Sequence, residues 1–380
     1  MNYRKLGRTG LEVSEIGLGL EHLLDKEEKV VTKTIRAAIQ GGVNYFDCLS
    51  LQEYSPESDA CEGYVKLGRA IAGLRDRVIL TFLAYVSKPL PHVRAEFDCY
   101  LRALGTDHAD IFLVACCDKP VDFDAATGPG GLLDLAKQLR AEGKVRHIGF
   151  STHSTALAHR AIACGDFGVL MYPVNPAFDV LDDEETYNSD ILGNIWDRAY
   201  EYTPGKNGAL PRKSIYAACE RVGVGLVAMK PFAGGFILGV EQMLMRKRAG
   251  FTPLNLLSYA LAQNGVSTVI PGCSSLRELK EILKFHTVPP KALDFSGAVA
   301  NSRWSVKGHC LYCGHCLPCT AGVDIAKVNK ALDGLDAAQY AALPVKASAC
   351  VQCGKCMERC PFEVDVIARM EQAVEVFTPK

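Results

Sequence analysis

The chain has 380 residues, 48% of them hydrophobic, with 42 basic and 43 acidic side chains and a net charge of -1. This length suits one large α/β barrel with a small appendage, and the near-neutral charge without a basic stripe excludes nucleic acid as a partner. No apolar stretch follows Met1-Asn2-Tyr3-Arg4-Lys5, and no run approaches the ~18 apolar residues that a membrane helix needs. A cytoplasmic location is therefore expected, with neither a secretory signal nor a membrane partner.

In chain order, short apolar β-like runs end near Leu18, Asp47, Leu83, Ala115, Ser151, Val174, Lys230 and Pro271. Helix-period stripes lie between them, such as Val31, Ile35, Ala38 and Ile39, or Val93, Phe97, Leu101 and Leu104. Ser275-Leu-Arg-Glu278 reads as a capping box that opens the last of these helices. Eight strand–helix units in series argue for a (β/α)8 barrel over residues 1–285. An open doubly wound sheet is disfavoured by that count and by the lack of an early G-x-G-x-x-G. A polar insert at 176–211, with Tyr187, Trp196, Tyr200 and Tyr202, is long for a βα loop. It reads as a lid, as a partner surface, or as a solvated excursion. Residues 286–305 are expected to link the barrel to a C-terminal domain at 306–380.

Several barrel segments share a pattern. They are Tyr3-Arg-Lys-Leu-Gly7-Arg-Thr-Gly10 running on to Ile16-Gly-Leu-Gly19, Gly42-Val-Asn-Tyr-Phe-Asp47, Leu104-Gly-Thr-Asp-His-Ala-Asp110, Gly143-Lys-Val-Arg-His-Ile-Gly149-Phe-Ser151 and Val269-Ile-Pro-Gly272. In this order they resemble the aldo/keto reductases. The resemblance implies a barrel whose C-terminal mouth reduces carbonyls with NADPH through an Asp-Tyr-Lys-His tetrad. Tyrosine gives the proton, lysine and aspartate tune it, and histidine orients the carbonyl. Asp47 matches the aspartate. The tyrosine position holds Gln52, and Tyr54, two residues on, is the substitute. The lysine position holds Leu83 and the histidine position Ala115. A general acid contributes about 10²–10⁴-fold only when its pKa lies near working pH, and a tyrosine starts near ~10. Ordinary carbonyl reduction is therefore not expected, although activity through Tyr54 is a third reading.

The resemblance also implies a cofactor site. Ser151 and Asn175 match residues that hold nicotinamide, and Met171 stands where a glutamine is usual. Lys230-Pro-Phe-Ala-Gly234-Gly235 and Gly272-Cys-Ser274-Ser275 match the phosphate end. A helix N-terminus with small residues suits a phosphate of NADP(H), of flavin or of a phosphorylated substrate; the other reading is that these glycines only shape turns. Cys48, Cys116, Cys117, His153 and Lys230 fall at strand ends on one rim. Each is a candidate for thiol or metal chemistry, or, for the cysteines, plain packing.

Half of the 16 cysteines lie in the tail. The run Cys350-Val-Gln-Cys353-Gly-Lys-Cys356-Met-Glu-Arg-Cys360-Pro361 has the C-x2-C-x2-C-x3-C-P spacing of two-cluster ferredoxins. Cys310-Leu-Tyr-Cys313-Gly-His-Cys316-Leu-Pro-Cys319 is one residue shorter in its last gap and is followed by Thr320. By the two-cluster pattern, Cys310, Cys313, Cys316 and Cys360 hold one [4Fe-4S] cluster, and Cys350, Cys353, Cys356 and Cys319 the other. The alternatives are a pair of structural zinc knuckles, or a single cluster with the first run degenerate. With this tail the chain looks like the aldo/keto reductase branch carrying a C-terminal 4Fe-4S dicluster, ferredoxin-like and α-rich. The expected function is an iron–sulfur oxidoreductase passing electrons between the clusters and the barrel mouth. A redox partner (a ferredoxin or flavoprotein) and a small-molecule substrate are expected. The alternative is an electron-transfer or scaffold subunit without carbonyl reductase activity.

Overall fold

A computed structural model of the chain describes residues 1–51, 53–181, 210–239, 250–302 and 304–378. Two short strands, β1 (Tyr3–Lys5) and β2 (Glu12–Ser14), pair antiparallel. Eight more run parallel, each beside the next: β3 (Leu18–Gly19), β4 (Tyr45–Asp47), β5 (Ile79–Tyr85), β6 (Ala109–Ala115), β7 (Val145–Ser151), β8 (Val169–Pro173), β9 (Gly225–Met229) and β10 (Val266–Ile270). Parallel bridges from Ile16 to Val269 and from Gly19 to Gly272 join the first of these to the last, so the sheet closes.

The two-residue period of a strand decides what fills the barrel. Ile79 and Leu83 on β5, Ile111, Leu113 and Ala115 on β6, Met171 on β8, and Val227 and Met229 on β9 form one inner cluster. Leu6 and Val13 of the β1–β2 hairpin join that cluster and close the barrel bottom. The alternate residues, Leu80 and Phe82 on β5 or Phe112 and Val114 on β6, face outward into a second cluster with the helices. Helices cover this outer face with the stripes legible in the sequence. Val31, Ile35, Ala38 and Ile39 are buried on Glu28–Gln40, and Val93, Phe97, Leu101 and Leu104 on Leu90–Leu104. Each Val, Ile, Leu or Phe among them contributes ~1.5–3 kcal/mol when fully buried. Ser275 Oγ accepts from the Glu278 N–H and caps Leu276–Leu283. Of the insert at 176–211, a short helix at Pro176–Asp179 and the stretch from Leu210 are described, whereas Tyr187, Trp196, Tyr200 and Tyr202 lie outside the described residues.

Residues 286–305 are not a bare linker. They carry helices Pro290–Leu293 and Ser296–Ala300, and Phe295, Val299 and Trp304 enter a third core. That core runs without a break from the barrel (Phe178, Ile237, Tyr259) to the tail (Val323, Val328, Phe362, Met370). The tail repeats itself. Tyr312 and Gln352 take φ values of 57° and 53°, each just before the second cysteine of its run, and Gly314 and Gly354 follow at 81° and 74°. After each fourth cysteine an aspartate caps a helix: Asp324 caps Ile325–Gly334 and Asp365 caps Val366–Phe377. Half-buried lysines fasten the tail to the barrel. Lys330 Nζ donates to the carbonyls of Ala262 (2.9 Å) and Gln263 (3.0 Å), beyond the reach of their helix's own N–H groups. Lys213 Nζ donates to the Cys310 carbonyl at 2.6 Å and pairs with Asp333 at 3.1 Å.

Candidate active site

At the C-terminal end of the barrel strands lies a cavity of about 390 Å³. Brought together on its wall are Asp47 from β4, Tyr85 from β5, Cys116 after β6, Ser151 and His153 from the end of β7, and Lys230 after β9. Asp47 is buried, and Thr81 Oγ1 donates to its Oδ1 at 2.9 Å. Burial pushes its carboxyl up to about 6, against the Thr81 hydrogen bond; the Glu21 charge adds to the rise and Lys230 opposes it. Half-protonated near that pH, Asp47 can both take and give a proton.

Tyr54 does not stand where a substituted tyrosine is needed. Its hydroxyl donates to Asp59 at 2.8 Å, its ring meets His92 edge-on at 5.3 Å, and it is not part of the cavity wall. The tyrosine on the wall is Tyr85. β5 continues two residues past Leu83, so the inward alternation Leu83, Tyr85 delivers a phenol to the rim. Burial raises its pKa well above the usual phenol range, and the neighbouring Cys116 and Asp47 add to this.

His153 stands on a carboxylate. Asp118 Oδ2 is 2.9 Å from His153 Nδ1, and Asp118 Oδ1 accepts from the His153 backbone N–H at 2.6 Å and from Thr152 Oγ1 at 3.0 Å. Burial raises the Asp118 carboxyl, but the hydrogen bonds and charge of His153 outweigh it and hold the group below the ordinary value. Asp118 therefore stays ionised. Of the rim thiols, Cys116 alone faces the cavity, with φ at 52°. Cys48 and Cys117 turn into the core, 1% and 0% exposed.

The residues matched to a cofactor divide. Ser151, Lys230, Gly234, Gly235 and Gly272 line the cavity. Gly235 has φ at 92°, a conformation that a side chain would strain, so the chain passes the cavity there as bare backbone. Asn175 is elsewhere. It is fully buried, its Oδ1 accepts from the Ala177 and Phe178 N–H groups, and its Nδ2 donates to the Lys230 carbonyl at 3.0 Å. It orders the turn that carries Lys230 and does not line the cavity. Ser274 and Ser275 are also off the wall. The Ser274 N–H and Oγ both donate to Glu278 Oε2, at 2.7 and 3.0 Å, so a carboxylate already holds the helix start that a phosphate would use. Glu21, His22, Tyr85 and the Asp118 partner of His153 were not singled out in the sequence. For Tyr85 the strand alternation was the available signal.

The tail forms two hollows. One is lined by Cys310, Cys313, Cys316 and Cys360, with Leu311, Phe362 and Val364. The other is lined by Cys319, Cys350, Cys353 and Cys356, with Val323, Ile367 and Met370. Neither wall contains a carboxylate. Among the described residues no three His, Cys, Asp or Glu side chains converge on a point suited to a single metal ion. Nor is any helix long and apolar enough to cross a membrane.

Residues 15–187 match the family model of the Aldo/keto reductase family. The chain is 24% identical over 254 residues to the Uncharacterized oxidoreductase YrpG of Bacillus subtilis (strain 168), covering 63% of this chain and 69% of the relative. Among solved structures it is similar to the aldo-keto reductase AKR11C1 from Bacillus halodurans in its holo form, with 18% identity, 77% of this chain and 94% of that one covered, and a TM-score of 0.54. The apo form gives 21% identity, 76% and 91% coverage and a TM-score of 0.51. The thermostable aldo-keto reductase Tm1743 with the inhibitor epalrestat gives 19%, 76% and 95%, and 0.53. Over residues 15–187 the chain is thus similar to the aldo/keto reductases, and with an oxidoreductase among its relatives it is an oxidoreductase.

Proposed function

We propose that this oxidoreductase is an iron–sulfur protein that passes electrons between two [4Fe-4S] clusters in the tail and a small molecule at the barrel mouth. One observation carries the reading: the eight tail cysteines fall into two sets of four, each around its own hollow, and Cys319 and Cys360 each serve the hollow of the other run. Thiols without carboxylates, in an apolar wall, suit a cluster of soft metal ions.

Bound there, such clusters supply one-electron storage. The chain's own part is to hold them. Cys310, Cys313, Cys316 and Cys360 would ligate one, and Cys319, Cys350, Cys353 and Cys356 the other. Lys213, on the Cys310 carbonyl, ties the first run to the barrel. Cys353 is exposed beside Val351, so a ferredoxin or flavoprotein partner would meet the tail on that side.

At the mouth, Lys230 and the bare backbone at Gly234, Gly235 and Gly272 would take a phosphate of NADP(H) or flavin, and Ser151 its ring end. A scaffold has no need of the buried Asp47, or of a histidine set on a carboxylate, in an open cavity. These groups support the enzyme reading over the electron-transfer subunit. The test is protein purified without oxygen. About eight irons and matching sulfide per chain, with cluster absorbance that NADPH bleaches or a bound flavin relays, is the expected result. Iron far below that sinks the cluster reading. Full clusters with no cofactor binding at the barrel turn the choice to the electron-transfer subunit.

A further inference from the structure

Among the titratable groups that face the cavity besides Asp47, Tyr85 and His153 are built differently from each other. Tyr85 is a phenol that burial holds firmly protonated. His153 is an imidazole fixed on three sides. Its Nδ1 is held by Asp118 at 2.9 Å, and its backbone N–H by the other oxygen of the same carboxylate at 2.6 Å. Its carbonyl accepts from Arg212 Nη2 at 3.2 Å, and Arg212 is itself fully buried against the Tyr172 ring. An ionised carboxylate only accepts, so the proton of the neutral imidazole lies on Nδ1 and Nε2 keeps its lone pair. His153 is 4% exposed, and its Nε2 has no hydrogen-bond partner among the described residues. A buried polar atom left unsatisfied is destabilising. That cost is understandable in a wall residue whose missing partner is a ligand.

We infer that His153 is the proton-transfer residue of the mouth, taking or giving a proton at Nε2 to the oxygen of an alcohol or carbonyl substrate, with Asp118 positioning it. This rests on the reading of the mouth as a redox site for a small molecule. In the reducing direction the imidazolium gives its Nε2 proton to the carbonyl oxygen, and the carbonyl carbon takes a hydride from a reduced nicotinamide. The C–H and O–H bonds form as the C=O π bond breaks, the nicotinamide is oxidised, and the imidazole is left neutral, to be reprotonated from solvent. In the reverse direction Nε2 takes the hydroxyl proton. The group thus does from the end of β7 what a phenol alone, held far above neutral pH, does poorly.

The experiment uses the holoprotein labelled with 15N-histidine, His153→Gln to identify the resonance, and Asp118→Asn. The signal that vanishes in His153→Gln is expected to show Nδ1 protonated and Nε2 unprotonated in the neutral form, and Asp118→Asn is expected to lose that preference. In parallel, turnover of NADPH with a panel of aldehydes and ketones is followed. A fall of about 10²–10⁴-fold in kcat for His153→Gln is expected, with NADPH affinity little changed. The opposite tautomer in the wild type overturns the inference, and so does undiminished turnover in His153→Gln. If the wild type turns over none of the panel, the carbonyl reading of the mouth fails, and the tautomer still decides whether the pair is built as described.

Discussion

The two halves of the molecule use one residue type in opposite ways. In the barrel, Cys48, Cys61, Cys99, Cys117, Cys219 and Cys273 are each at most 3% exposed and pack as small apolar groups. Burial pushes their thiols up, Cys273 to about 12, which makes them inert. In the tail, most cysteines are half-buried and turn inward on two shared hollows. Cysteine number is therefore no guide to chemistry here. Grouping and access are, and in the barrel only Cys116 and Cys164 are accessible.

The largest expected effect tests that contrast. Cys356→Ser should take about half of the ~8 irons that two cubanes require, read by iron and sulfide assay, whereas Cys219→Ser should leave the iron count alone. The barrel substitution should cost ~1–3 kcal/mol of stability instead, because it buries a hydroxyl in an apolar site. Equal iron loss in both variants would erase the distinction.

A second effect sharpens the contrast at the mouth. Asp47 has a folded-state pKa of about 6, above the carboxylate's ordinary 3.8. Between those values the folded chain binds more protons than the unfolded one. Stability from this site is thus full below ~3.8 and is lost as pH rises through about 6. The loss is ~3 kcal/mol at one pKa unit per ~1.36 kcal/mol. Asp47→Asn keeps an oxygen for Thr81 and removes the charge. Its thermal midpoint should exceed that of the wild type at pH 8, by a margin that shrinks at pH 5. A margin independent of pH would show that Asp47 is not the titrating group.

The smallest effect separates two tyrosines. Tyr54→Phe gives up one hydrogen bond to Asp59 and should cost ~0.5–1.5 kcal/mol in denaturant melts, with cofactor binding at the mouth unmoved. Tyr85→Phe alters the cavity wall and should change that binding while leaving stability nearer to the wild type. A reversed pattern would return Tyr54 to the site.

The tail was readable because its chemistry is local: three cysteines of each run lie within seven residues, and the turn between them recurs. The barrel was readable because the period of its strands and helices is also local. The mouth was not, since it collects about one group per strand end. Asp47 and Lys230 were found by position and His153 by its place after β7. The carboxylate that gives His153 its role, Asp118, is 35 residues away along the chain, and no spacing rule joins them. Tyr85 was lost for a different reason. Reading β5 as ending at Leu83 stopped the alternation one inward residue short. Asn175 had the right position and the wrong employment, because a turn consumed both ends of its amide.

The exchange of end thiols has a consequence for the tail as a heritable unit. Cys319 sits with the second run and Cys360 with the first, so each half lends the other one wall. Neither half can be deleted, or swapped as a cassette from another protein, without opening both hollows. The repeat is symmetrical in form yet indivisible in use, and it can be inherited only whole.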